Sequence, residues 1–179
     1  SAWVRMDELP EAETGNINTD RDDVLCLAYA PTLSADPQAD GGWVFWTHDG
    51  NSVEIGVSTG LDHPGYVADQ WVHLVGTYDG DWLRLYVDGE LAASEQVGSI
   101  PHSYWTGYHG DLHSYVGAGT PPTLWPQYLN GAIDEVSLWD VALTGDVVAD
   151  LYNDRVRLLS TDHQTVSTVA GDGTVNYLL

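Results

Sequence analysis

The stretch "PHSYWTGYHGDLHSY", residues 101–115, places four aromatic side chains, three histidines and one aspartate within fifteen residues. Tyr104, Trp105 and Tyr108 offer flat rings of the kind that stack on the C–H face of a pyranose. His102, His109 and Asp111 offer short polar groups that could reach the sugar hydroxyls. A second chemistry is metal ligation. His109, Asp111 and His113 alternate, so on a strand they would share one face and could hold zinc with a fourth ligand. The third possibility involves no ligand: the rings fold onto a core and the stretch is an ordinary loop. A platform for a glycan or a protein partner is preferred, a packed loop comes next and a metal site last. The Pro-rich stretch "GTPPTLWPQYLNG", residues 119–131, adds Trp125 to the candidate carbohydrate-binding residues. Its rival reading is a loop pinned by prolines with Trp125 half buried.

No catalytic signature stands out, and the chain is read as a non-enzyme. A retaining glycoside hydrolase needs two carboxyls about 5 Å apart, on one face. In "IDEVSLWD" the acids Asp134 and Glu135 are adjacent, so a strand would send them to opposite faces. Glu54 in "SVEIGV" has no acidic neighbour on its face. Ser, Cys and His form no nucleophile signature. "NINTDRDD", residues 16–23, spaces its oxygen ligands as a calcium loop does. However, Arg21 stands where an EF-hand needs Gly, and Leu27 where it needs Glu. A solvated acidic loop suits those residues better.

The elements that would position these side chains are strands. Turn signals such as "DGG", "HDGN", "DGD", "DGE", "GAG" and "GDG" recur between short runs rich in Val, Leu, Trp and Tyr, the pattern of an all-β sandwich. In "WVHLVGTYDGDWLRLYVDGELAAS", residues 71–94, two strands flank Asp79-Gly80-Asp81. Leu83, Leu85 and Val87 alternate with Trp82, Arg84 and Tyr86, which predicts an aliphatic face turned to the core. Asp88-Gly89 predicts a tight turn into a third strand. Residues 42–59 predict a second hairpin around "HDGN". Helical spacing of Val147, Val148, Leu151 and Tyr152 predicts one short helix near residues 144–153, capped by Thr144 and packed at an edge of the sandwich. Trp3, Trp71 and Trp139 are expected in the core. Residues 156–179 read as a less regular tail in which "QTVSTVA" and "GTVNYLL" could each be a strand.

The 179 residues suit one domain, with or without a tail. There are 27 acids against 5 bases, every base is arginine, and Asp outnumbers Glu 20 to 7. A net charge of −22 repels itself in dilute buffer. Salt at about 1 M shortens the Debye length to about 3 Å and removes most of that repulsion. The lysine-free, Asp-rich composition therefore resembles adaptation to concentrated salt, as in haloarchaeal proteins and their viruses. A calcium-loaded extracellular module is the rival. Nucleic acid is excluded as a partner for want of a basic patch. Cys26 stands alone, so no internal disulfide can form. No apolar run approaches the ~20 residues of a membrane helix, so membrane insertion is not expected. The chain begins in what reads as mid-strand, without a signal peptide or initiator Met, as a processed product or a segment of a longer polypeptide would.

Three motifs carry a family likeness. "WVHLVGTYDGDWLRLYVDGELAAS" resembles the signature of the laminin-G-like, or concanavalin A-like, jelly-roll modules. "YLNGAIDEVSLWDVALTGDVVADLYN" resembles their closing motif, and "SAWVRMDELP" their early core strand. The resemblance implies an antiparallel jelly-roll sandwich over residues 1–155, followed by the tail, 156–179. It implies Asp134 as a candidate ligand for a structural Ca2+, with a hydrogen-bond anchor as the alternative role. It also implies a further strand ahead of "AWV" whose pattern is missing here, leaving a sheet edge for the tail or a neighbouring subunit to fill. Because the connection at 101–115 is shorter in such modules, that stretch reads as an inserted loop. The expected function is a non-catalytic lectin-type module of an extracellular cell-surface or virion protein, binding a cell-surface glycan or glycoprotein. The alternative is an assembly or decoration domain that binds protein neighbours through its loops and open edge. Less favoured is a polysaccharide hydrolase or lyase domain.

Overall fold

The computed structural model describes residues 1–7, 26–30, 42–48, 54–60, 68–100, 116–117 and 129–161. Eight strands and one helix occur among them: β1 (Ala2–Met6), β2 (Cys26–Ala30), β3 (Gly42–His48), β4 (Glu54–Ser58), β5 (Trp71–Tyr78), β6 (Trp82–Val87), β7 (Glu90–Gln96), β8 (Gly131–Asp134) and α1 (Gly145–Thr161). The strands form a five-stranded sheet in the order β7-β6-β5-β1-β8 and a three-stranded sheet in the order β2-β3-β4. Every pairing is antiparallel. The expected all-β jelly-roll sandwich with one helix is thus observed.

Period-two alternation sets the core. Val4 and Met6, Val72 and Leu74, and Leu83, Leu85 and Val87 leave the five-stranded sheet to meet Trp43, Phe45 and Val57 of the three-stranded one. Each such aliphatic side chain stabilises the fold by about 1.5–3 kcal/mol on burial. The Phe45 ring lies where a Cβ at residue 76 would stand, so only Gly76 admits it between the sheets.

The five-stranded sheet is covered on its other face as well. Val75, Tyr86 and Val148 form a second buried cluster beneath α1. Consequently Tyr86, which alternation assigns to the outward set, is buried too. Three expectations change here. The helix packs across this sheet face and not at an edge. It also runs on to Thr161, past the expected end near 153, because no Gly or Pro follows until Gly171 to stop it. Residues 156–161 therefore belong to the helix and not to an irregular tail.

Trp3 is buried as expected, whereas Trp71 and Trp139 are not core residues; Trp71 is 40 % exposed and Trp139 43 %. Trp71 opens β5 opposite Arg5, on the face turned away from the second sheet, and the helix does not reach it. Its ring instead carries the Arg5 guanidinium 5.6 Å from its centroid. Trp139 lies beyond the end of β8, where alternation no longer applies.

Candidate functional site

Tyr104, Trp105, Tyr108, His109 and Asp111 lie outside the described residues, as do His102, His113, Trp125 and the acidic stretch 16–23. The structure does describe how each candidate loop is rooted. Tyr78, the last residue of β5, packs its ring on the core and places its hydroxyl over the chain that follows β7. That hydroxyl donates to the Gly98 carbonyl and accepts from the Ile100 N–H, both at 2.8 Å. Asp81 holds the same segment: its carbonyl accepts from Val97 N (2.9 Å) and Gly98 N (3.0 Å), and its carboxylate accepts from Gln96 Nε2 (2.9 Å).

The β5–β6 turn is braced in its own right. Asp79 Oδ1 accepts from the N–H groups of Asp81 (3.1 Å) and Trp82 (2.8 Å), and Oδ2 takes Arg84 Nη1 at 2.6 Å. The Arg84 hydrogen bond foremost, then those two backbone donors, hold the Asp79 carboxyl down to about 2. Ile100 is buried, so the stretch 101–115 departs from a fixed point. Its far end meets a second root, where Leu129 N donates to the Gly117 carbonyl at 3.0 Å and Gly117 backs onto Ile133. The first root stands at the Tyr78 end of the sheet. The second stands at the Met6–Gly131 end, so residues 101–115 link the two ends.

Asp134 closes β8 with its carboxylate exposed. Oδ1 accepts from Glu135 N at 2.8 Å and Oδ2 pairs with Arg155 Nη2 at 3.0 Å. Arg155 also grips the Glu135 carboxylate. The adjacent acids were expected on opposite faces. They converge because β8 ends at Asp134 and Glu135 turns to φ 50°, swinging its side chain back to the same guanidinium. A cation at Asp134 would have to displace Arg155. Among the described residues no three His, Cys, Asp or Glu side chains gather as a metal site.

One cluster escaped the sequence reasoning. His73 is 3 % exposed and stacks on Trp3 with ring centroids 5.0 Å apart. Tyr152 of the helix lies over both, 5.7 Å from Trp3 and 6.2 Å from His73. Nδ1 of His73 is buried with no hydrogen-bond partner. Burial foremost, then the positive amino terminus, lowers the His73 pKa to about 4, so the ring is neutral at pH 7. The available signal was a lone polar ring at an outward position of "WVHLV".

Among the described side chains each arginine is committed to an acid. Arg5 pairs with Asp7 at 3.3 Å, Arg84 with Asp79, and Arg155 with Asp134 and Glu135. Among the described residues no helix is long and apolar enough to cross a membrane.

The geometry defines a two-sheet antiparallel sandwich with loops rooted at both ends of one sheet. The chain belongs to the concanavalin A-like lectin/glucanases superfamily, whose laminin-G-type family model matches residues 1–149. Among curated relatives, human pappalysin-1 is 48 % identical over 46 residues, 25 % of this chain and 3 % of the relative. Human adhesion G-protein coupled receptor D1 is 31 % identical over 80 residues, 44 % of this chain and 9 % of the relative. The chain thus spans a small part of either. Among solved structures, the chain is similar to domain 4 of AbnA, an extracellular GH43 arabinanase from Geobacillus stearothermophilus, in complex with arabinotriose. That likeness has a TM-score of 0.56 and 22 % identity, and covers 84 % of this chain and 64 % of the other. A candidate carbohydrate-binding protein from Bacteroides ovatus gives a TM-score of 0.56 at 20 % identity, covering 83 % and 38 %. At these identities the two structures show the fold.

Proposed function

We propose that this is a non-catalytic carbohydrate-binding module of an extracellular surface or virion protein that works in high salt. The observation that carries the proposal is the rooting of the aromatic and histidine-rich stretch 101–115 on the Tyr78 clamp of a lectin-type sandwich. A fixed root lowers the entropy lost when a loop closes on a ligand. Tyr104, Trp105, Tyr108 and Trp125 would stack on sugar rings, and His109 and Asp111 would accept or donate to hydroxyls. The arabinotriose complex of the similar arabinanase domain supports a glycan as the ligand class. Contacts of this shallow kind are weak singly and are strengthened by display of several copies. The charge of −22 without lysine supports the high-salt setting. Extracellular-type relatives support the location.

The test is binding to a glycan array in multi-molar NaCl, with and without chelator, beside the Trp105→Ala variant. Binding by the wild type that the variant loses by about tenfold or more is the expected result, in line with removal of one stacking ring. Chelator sensitivity would add structural Ca2+ to the proposal. A folded wild type that binds nothing sinks it and moves the choice to the assembly domain. That second proposal is favoured by β8, which ends the five-stranded sheet among the described residues, and by the exposed Val136, Leu138 and Val141 that follow it. Turnover of any polysaccharide would bring back a lyase or hydrolase.

A further inference from the structure

We propose that α1 is an acid-released cover: a proton taken up by His73 lifts the helix from the outward face of the five-stranded sheet, while the two-sheet sandwich stays folded. The proposal stands apart from glycan binding.

Three contacts hold α1 on that face. Val148 packs with Val75 of β5 and Tyr86 of β6, Tyr152 stacks on Trp3 of β1 and His73 of β5, and Arg155 binds Asp134 and Glu135 at the end of β8. None of these side chains belongs to the buried cluster between the sheets, where Leu74, Leu83 and Leu85 meet Trp43 and Phe45. A layer with an apolar cluster of its own can open while the rest of the fold holds. The family match ends at residue 149, so Tyr152 and Arg155 lie beyond the part of the chain that the family model covers.

His73 is the acid-sensitive member of the layer. Its ring is buried against Trp3 and under Tyr152, and its Nδ1 has no hydrogen-bond partner. A proton on Nδ1 turns a bare acceptor into a charged donor with nothing to donate to. An unpaired buried charge is costly, and admitting water relieves it. Water reaches the ring when Tyr152 leaves. The groups around His73 offer the ring no counter-charge. The Ser1 ammonium acts on it as a like charge. From the β6–β7 turn, Asp88 Oδ1 accepts from the His73 backbone N–H at 2.9 Å and not from the ring. From α1, Tyr152 presents a hydroxyl whose proton is held on by burial first, then by the Asp88 and Glu90 charges. From β8, Asp134 is paired with Arg155. From β1 the ring meets the indole of Trp3.

The sign follows from linkage. The covered ring titrates at about 4 and a freed ring at its ordinary 6.5. Opening therefore becomes easier as pH falls from about 6.5 toward 4, and is indifferent to pH above that window. At about pH 4.5 the open fraction should exceed its value at pH 7 by about tenfold or more. Opening bares Trp3 and Tyr86, two aromatic rings on a sheet face that is closed at pH 7.

Amide exchange read by NMR as protection factors tests this, at pH 7 and about pH 4.5 in several-molar NaCl. Wild type is compared with His73→Phe, which keeps a ring in the stack and takes no proton. Amides from Val148 to Arg155 should lose protection about tenfold or more in the wild type, while β3 and β6 keep theirs. His73→Phe should lose much less. The Arg155 pairing with Asp134 and Glu135 is present in both proteins, so any release that those carboxylates cause appears in the variant too. Equal losses in the two proteins would overturn the proposal. So would a joint loss across α1, β3 and β6, which is acid unfolding of the whole domain. Wild type alone supplies a second check, whether or not the variant folds. The His73 ring signals should titrate over the same pH range in which α1 loses protection, and a ring that titrates beneath an undisturbed helix would also overturn the proposal.

Discussion

His73 is the residue whose chemistry the fold changes most. Burial between Trp3 and Tyr152 depresses its pKa from 6.5 to about 4. Between those values the unfolded chain binds a proton at this site that the folded chain does not. Stability contributed here is therefore complete above about 6.5 and is lost as pH falls toward 4. The loss is on the order of 2 kcal/mol, allowing for residual solvent screening. His73→Phe keeps the stack and removes the titration, and the unpartnered Nδ1 leaves no hydrogen bond to lose. Denaturant midpoints at pH 7 and pH 5 are the measurement. The wild type should lose more stability than the variant over that interval, and equal losses would show that the folded ring takes up its proton as readily as the unfolded one. Acid–base pairing at Asp134 and Glu135 is likewise a residue-scale outcome. One positive φ turned two diverging carboxylates into a shared seat for Arg155.

At the scale of elements, two contacts decide how the sandwich holds its loops and its helix. The Asp88-Gly89 turn has φ of 50° and 84°, the left-handed pair of a type I′ hairpin. A Cβ at Gly89 would stand 3.0 Å from Tyr152 Cβ, so the turn is also a helix contact. Gly89→Ala should cost roughly 1–3 kcal/mol from left-handed strain and that contact together, read as a lowered urea midpoint with an unchanged slope. An unaltered midpoint would mean that the helix yields freely. Tyr78→Phe removes one hydroxyl and two hydrogen bonds from the root of the stretch 101–115. It should cost about 1–3 kcal/mol, quicken amide exchange at 97–100, and weaken any glycan binding without touching the rings proposed to stack. Unchanged exchange there would show that Asp81 alone fixes the segment.

For the whole molecule, net charge governs the response to solvent. The −22 charges lie on a 19.5 kDa chain, and each arginine with a described side chain is already paired with an acid. Raising NaCl from about 0.1 M to several molar collapses the screening length from about 10 Å to 3 Å or less. The melting temperature should climb by roughly 10 °C, equivalent to a few kcal/mol for a domain of this size. A flat or falling melting curve across that range would argue against adaptation to salt.

The strands, the hairpin turns and the inward set Leu83, Leu85 and Val87 were legible in the chain itself, because strand alternation and Asp-Gly turns are local signals with a fixed period. The family was legible for the same reason, since its motifs are those local signals in a particular order. What α1 covers could not be read that way. Helical spacing announced an apolar face, but only packing decided that the face lies across β6, β5 and β1. That placement buried Tyr86 and His73 and left Trp71 outside. The convergence of Asp134, Glu135 and Arg155 also belongs to tertiary structure, since it needs a strand end, a left-handed residue and a helix twenty residues away. Types and spacing of residues could nominate the stretch 101–115 for sugar chemistry. The point from which it departs, a tyrosine hydroxyl more than twenty residues earlier in the chain, was set by the folding of β5 against the segment after β7.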